Sequence, residues 1–282
     1  MESNQYQVGC ELNYTVSGES AFIFNVSVAD NEFQQIVAEQ FTTEPPLEVV
    51  SSRSPIEDKR HHRFVMNAGP LKVMYSATVQ LSHHIRTADE VPETGPGALP
   101  ADVVPYLYPS RYCESDKLVR LAQHEFGKLE QGFSRVTAIC NWIRDNVEYL
   151  RGSTDPQTSA FDTATERAGV CRDFAHLAIA FCRALAIPAR FTSGYAFALE
   201  PPDFHAYFEA WLDGRWYIFD PTRLAPQTGL IRIGTGRDAA DTSFATIFGP
   251  VAFTAMKVTM ISTSGETPVY TTDAISTSGC LK

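Results

Sequence analysis

GVCRDFAHLAIAFCRALAIPARFTSGYAF (Gly169–Phe197) and DFHAYFEAWLDGRWYIFDPT (Asp203–Thr222) are the two stretches whose reading decides the fold. In the first, apolar residues fall at Phe174, Ala175, Leu177, Ala178, Phe181, Cys182 and Leu185, the spacing of a helix with a broad buried face. Pro188 ends that helix, and Gly169 lets the chain turn into it. Cys171 is therefore expected in or just before the first turn, where unpaired N–H groups and the helix dipole favour an anion. A thiol so placed is expected to ionise more readily than a free cysteine. Alone, it would read as one more small buried residue.

The second stretch changes that reading. Asp213-Gly214 is a two-residue type I′ hairpin turn between runs rich in aromatic and β-branched residues. The turn sets the register: Leu212 opposite Arg215, Trp211 opposite Trp216, Glu209 opposite Ile218 and Tyr207 opposite Asp220. His205 then lies diagonally across from Asp220 on the same face, within reach of an imidazole–carboxylate bond. A one-residue slip would put the two on opposite faces. Helix and hairpin together supply a nucleophile, a base and a group to orient the base. Cys171, His205 and Asp220 are the candidate catalytic residues.

With these residues the chain resembles the transglutaminase-like superfamily in its bacterial form, whose fold is similar to that of papain-like cysteine proteases. The resemblance rests on four ordered motifs: GVCRDFAHL (Gly169–Leu177), CRALAIPARFTSGY (Cys182–Tyr195), HAYFEAWL (His205–Leu212) and WYIFDPT (Trp216–Thr222). IGTGRDAADTSF (Ile233–Phe244) resembles the family's stretch after the Asp. The likeness is good from about Tyr106 to Gly249 and loose in the N-terminal third. It implies Cys171 as nucleophile, His205 as general base and acid, and Asp220 as orienter. It implies thiol acyl-transfer chemistry more firmly than a substrate, since members include cross-linkers, hydrolases, deamidases and inactive relatives.

Nearby polar residues read as structural. Asp173 suits the positive end of the helix, His176 is turned well away from Cys171, and Cys182 lies roughly 16 Å along the axis, beyond disulfide reach. For the oxyanion the backbone N–H of Cys171 is one donor. The second stays open: Tyr149, Gln157 and Thr158 precede the nucleophile, and no sequence signal singles one out. Trp211, Trp216, Tyr207 and Tyr217 read as cross-strand packing rather than a substrate groove.

The chain has 282 residues, enough for one large or two ordinary domains, and its 44% hydrophobic content supports real cores. A net charge of −10 argues against a nucleic-acid partner. No apolar run approaches membrane-spanning length, and no secretory signal pattern opens the chain. Six scattered cysteines without disulfide or zinc spacing suggest free thiols in a reducing, cytoplasmic setting. No metal or cofactor is expected.

The first hundred or so residues read as strands: Gln7–Val16, Ala21–Val28, Gln35–Phe41, Arg63–Asn67 and Leu71–Leu81. KRHHRF (Lys59–Phe64) reads as a strand or turn edge, and VPETGPGALPADVVP (Val91–Pro105) as a linker. Helices are expected from about Ser115, as N-cap, to Gly127, and over Ser134–Leu150, with a further strand at Val251–Ile261. The polar end, TTDAISTSGCLK, is expected to be loosely held. The expected fold class is α+β: an N-terminal all-β sandwich-like domain (1–105) and a papain/transglutaminase-like catalytic domain (106–282) with helices packed on an antiparallel sheet. The expected function is a cysteine protease or amide hydrolase acting on a peptide or protein through an acyl-enzyme. The alternatives are a protein-glutamine transglutaminase or deamidase, and a non-catalytic peptide-binding module; the oligomeric state is open.

Overall fold

Period-two alternation in the N-terminal third folds into two facing sheets. The computed structural model describes residues 4–54, 59–263 and 267–278. Strand β1 (Asn4–Val16) buries Tyr6, Val8, Leu12, Tyr14 and Val16, and β6 (Gly69–Leu81) buries its odd-numbered residues from Leu71 to Leu81. Strands β2 (Ser20–Phe24), β3 (Gln34–Glu44), β4 (Val50–Arg53), β5 (Arg60–Met66) and β7 (His84–Arg86) complete the region. The five expected strands each form within a few residues of their expected place, whereas β4 and β7 lie outside the expected set. Most of KRHHRF falls in β5, where buried His62 bonds the hydroxyls of Ser27 (2.7 Å) and Ser51 (2.8 Å). Phe22, Phe24 and Phe64 stack at 5.2–5.9 Å between the sheets.

Helices α1 (Ser115–Phe126) and α2 (Phe133–Asn146) follow, then β8 (Glu148–Tyr149), α3 (Ala160–Glu166), β9 (Ala168–Gly169) and α4 (Cys171–Ala184). Glu114, not Ser115, occupies the N-cap of α1, and Gly127 closes it as expected. The second helix stops four residues before Leu150. Val147 turns extended, and Glu148–Tyr149 instead pair in parallel with Ala168–Gly169. The α4 helix is buried along nearly its whole length, and its Phe174, Leu177 and Phe181 each contribute about 1.5–3 kcal/mol by burial. It packs on a four-stranded antiparallel sheet ordered β12-β11-β10-β13, formed by β10 (Ala189–Ala196), β11 (His205–Leu212), β12 (Arg215–Phe219) and β13 (Leu230–Gly236).

Three expectations are corrected. The strand at Val251–Ile261 forms as β15 (Val251–Ser262), but it pairs with β1. Together with β14 (Ala245–Phe248), which pairs with β2, it completes the sandwich sheets β15-β1-β6-β3 and β14-β2-β5-β4. A division at residue 105 therefore leaves two sandwich strands on the far side of the segment that carries Cys171, His205 and Asp220. The stretch 91–105 is packed rather than a free linker. Val91 and Val103 are buried, and Glu93 accepts hydrogen bonds from Gly132 N–H and the Arg135 guanidinium. The C-terminal segment is held as far as Ser278. Strand β16 (Ala274–Ser276) pairs with β7, and Ser278 bonds Arg190, Arg215 and Arg232. Residues 279–282, including Cys280, lie outside the described residues. Among the described residues no helix is long and apolar enough to cross a membrane.

Candidate active site

Cys171 is the first residue of α4, as its position before the apolar run required. Gly169 serves close approach rather than a positive φ: a Cβ there would sit 2.8 Å from Cβ of Asp173. Asp173 faces back, its Oδ2 accepting from Val170 N–H (2.9 Å) and from the Thr154 hydroxyl (2.9 Å). It is fully buried and fixes the turn that delivers the cysteine, which supports the structural reading. His176 is likewise structural. Its Nε2 accepts from Ala239 N–H (3.1 Å), and its ring stacks on Tyr112.

The hairpin register is the one Asp213-Gly214 dictates, with Leu212 opposite Arg215, Trp211 opposite Trp216 and Glu209 opposite Ile218. Positive φ at both turn residues (44° and 79°) gives the right-handed twist of a type I′ turn. Trp211 and Trp216 pack edge to face at 5.3 Å and are buried, so they form core rather than groove. Asp220 follows directly after β12, and its Oδ2 lies 2.8 Å from Nε2 of His205. Its other oxygen accepts from Thr222 N–H (2.9 Å) and Oγ1 (2.7 Å), so the carboxylate cannot rotate away. The expected diagonal pair is thus brought together. With Nε2 engaged by Asp220, the buried Nδ1 is the ring nitrogen left free for the thiol, and the Cys171 thiol acts electrostatically on the ring.

The electrostatics follow from these contacts. Burial works against a charge on His205, but Asp220 and the Cys171 thiol outweigh it and raise the imidazole to about 10. The site can hold an imidazolium at neutral pH. The other described thiols differ from Cys171 in access. Cys10, Cys113, Cys140 and Cys182 are buried, and burial pushes Cys10 up to about 11 and Cys113 to about 12. Cys171 alone among the described cysteines is partly exposed.

One neighbour had no sequence signal. The parallel β8–β9 pairing lays Tyr149 close to the start of α4, where its phenol and the Cys171 thiol act on each other electrostatically. Burial, then the thiol beside it, push the phenol up to about 12, so it keeps its proton and can donate. Gln157 and Thr158 lie on the loop before α3, where both backbone N–H groups bond Asp155. Among the described residues no cluster of three or more His, Cys, Asp or Glu is arranged to hold a metal.

Comparison with known proteins bears on the family and the fold. The model of the transglutaminase-like superfamily core matches residues 120–221, and that of the bacterial transglutaminase N-terminal domain matches residues 4–95. A solved structure from Cytophaga hutchinsonii, described as a "Putative Cysteine Protease", is 45% identical with a TM-score of 0.93, covering 98% of each chain. An uncharacterized protein of Mycobacterium leprae is 32% identical over 147 residues, 48% of this chain and 51% of that protein. One from Mycobacterium tuberculosis is 38% identical over 115 residues, 35% of this chain and 36% of that protein. The chain thus spans about half, or less, of these curated relatives' length. A helix-borne cysteine, a hairpin carrying His and Asp, and a matching N-terminal sandwich all fit one conclusion: the chain belongs to the transglutaminase-like superfamily, in its bacterial form.

Proposed function

We propose that the protein is a cysteine hydrolase acting on amide bonds of a peptide or protein through an acyl-enzyme. The observation that carries this is the accessible Cys171 at the start of α4, beside an imidazole bonded at 2.8 Å to a buried carboxylate. In the first half-reaction the thiolate adds to the amide carbonyl. The oxyanion formed takes hydrogen bonds from Cys171 N–H and, in our reading, the Tyr149 hydroxyl. The C–N bond breaks as the His205 imidazolium passes its proton to the leaving amine, giving a thioester. In the second, His205 takes a proton from water as the oxygen attacks the thioester, and the thiolate leaves. Asp220 holds the ring and offsets its charge throughout. A primary amine in place of water would make the same site a transglutaminase, and incorporation of a labelled amine into a glutamine-bearing protein separates the two.

Cys171→Ala tests the reading. It should abolish turnover of peptide amides and of p-nitrophenyl acetate while leaving the circular dichroism spectrum unchanged. Turnover at the wild-type rate in a folded Cys171→Ala protein would rule it out.

A further inference from the structure

We propose that Asp203 selects substrates carrying a basic side chain on the amine side of the reacting bond; this rests on the acyl-transfer reading above. The leaving amine collects its proton from His205, so the amine half of the substrate lies on the His205 side of the thiol. Asp203 stands two residues before His205, in the segment that leads into β11. At about 3.3 Å per residue that is roughly 7 Å, the reach of an arginine or lysine side chain from the first residue after the bond.

The carboxyl is set up for an external cation. Oδ1 is fixed by Phe204 N–H at 2.7 Å. The Phe204 ring is anchored against Tyr195 (5.5 Å) and Phe244 (5.1 Å), and Pro201 and Pro202 stiffen the approach. Among the described residues Asp203 forms no ion pair within 4.0 Å, in contrast to the paired acids Glu93 and Glu209. The charges that act on it are those of Arg151 and His205. Arg151 is exposed and acts on both Asp203 and Tyr149. Partial burial, outweighing these cations, raises the Asp203 carboxyl above its ordinary value. A half-buried carboxylate without a close ion pair gains most from a partner that brings its own charge and hydrogen-bond donors.

The test uses the acyl-enzyme formed with p-nitrophenyl acetate and offers it L-arginine amide and L-citrulline amide at equal concentration. The two amines have nearly the same shape and differ in side-chain charge. The two acetylated products are quantified by mass spectrometry after subtracting the Cys171→Ala background. Wild type should favour arginine amide by at least about tenfold, as expected for a charged hydrogen-bond pair. The ratio should fall towards one in Asp203→Asn and recover in part in Asp203→Glu. A wild-type ratio near one, no amine product, or a ratio unchanged in Asp203→Asn overturns the assignment while leaving the acyl-transfer reading intact. No acetyl group on Cys171 in the wild type overturns both.

Discussion

Replacing Asp220 with asparagine keeps the shape of the hairpin corner and removes its charge. The retained Oδ1 can still accept from Thr222 N–H and Oγ1, so the backbone there has no reason to move. The new amide, however, donates to Nε2 of His205 instead of accepting from it. The ring proton is driven to Nδ1, the nitrogen facing the thiol, and the imidazole can no longer take the thiol proton. The structure sets the scale. His205 is raised from 6.5 to about 10 against an opposing burial effect, and Asp220 contributes most to the rise. That interval corresponds to roughly 5 kcal/mol of proton affinity, of which the thiol supplies part. The thiolate–imidazolium pair should therefore be weakened by on the order of 10²–10³ in the variant. Iodoacetamide labelling of Cys171 near pH 6, read by peptide mass spectrometry, should slow by that factor while the buried cysteines stay unlabelled. The same shift has a stability signature. A raised histidine stabilises fully below about 6.5, and that contribution is lost as pH climbs through about 10. The urea midpoint of the wild type should fall across that window, and the fall should vanish in Asp220→Asn. Labelling within about fivefold of wild type in a folded Asp220→Asn protein, an interval too small for an effect of on the order of 10², would refute the reasoning.

Three further outcomes follow from other contacts. Tyr149→Phe removes the proposed oxyanion donor and should lower kcat by about 10²-fold with little change in KM; an unchanged kcat would exclude the hydroxyl. Burial works against a charge on Glu209, yet Arg190 and Arg232 hold its carboxyl below the usual range. Glu209→Gln leaves the buried Arg232 and the part-buried Arg190 facing a neutral amide and should cost about 3–5 kcal/mol by urea denaturation. The wild type should lose this contribution as pH falls below the ordinary carboxylate value, and a variant as stable as wild type would mean the pair contributes nothing. Gly194 lies opposite His205 in the sheet, and a Cβ there would come 2.4 Å from the Ile231 carbonyl oxygen. Gly194→Ala should cost about 1–3 kcal/mol and lower the melting temperature; an unshifted melt would show that the strands part without strain.

The site was legible where short-range chemistry fixes geometry. Asp213-Gly214 admits one tight turn, and that turn alone determines which face His205 and Asp220 share. The apolar spacing from Phe174 onward likewise fixes a helix and puts Cys171 at its start. The placement of Tyr149 near Cys171 escaped because β8 and β9 are two residues each, too short to carry any periodicity. The same break ended α2 early: Val147 to Leu150 continue a passable helical pattern, and only pairing with Arg167–Gly169 shows that the backbone goes elsewhere. The role of β15 could not be read locally. Its alternation announces a strand but carries no mark of its partner, which lies at the other end of the chain. The stretch 91–105 looked like a linker because Pro and Gly dominate its composition, whereas Glu93 and Val91 are tied to α2 by contacts that depend on the assembled fold.

The pairing of β1 with β15 has a consequence for synthesis on the ribosome. Thr263 and Gln5, at one end of this ladder, are 258 residues apart in sequence. Everything that builds the thiol site is therefore translated before the sandwich can receive its last two strands. Until then β1 and β2 emerge with open edges that offer unpaired backbone groups to any passing strand. Closure must also wait for a very long loop to be spanned, which makes it a slow event in the nascent protein's life. Cys171 can thus be in place on its helix while the module beside it is still incomplete. A newly made copy would need shielding at those edges for as long as the ribosome takes to deliver β14 and β15.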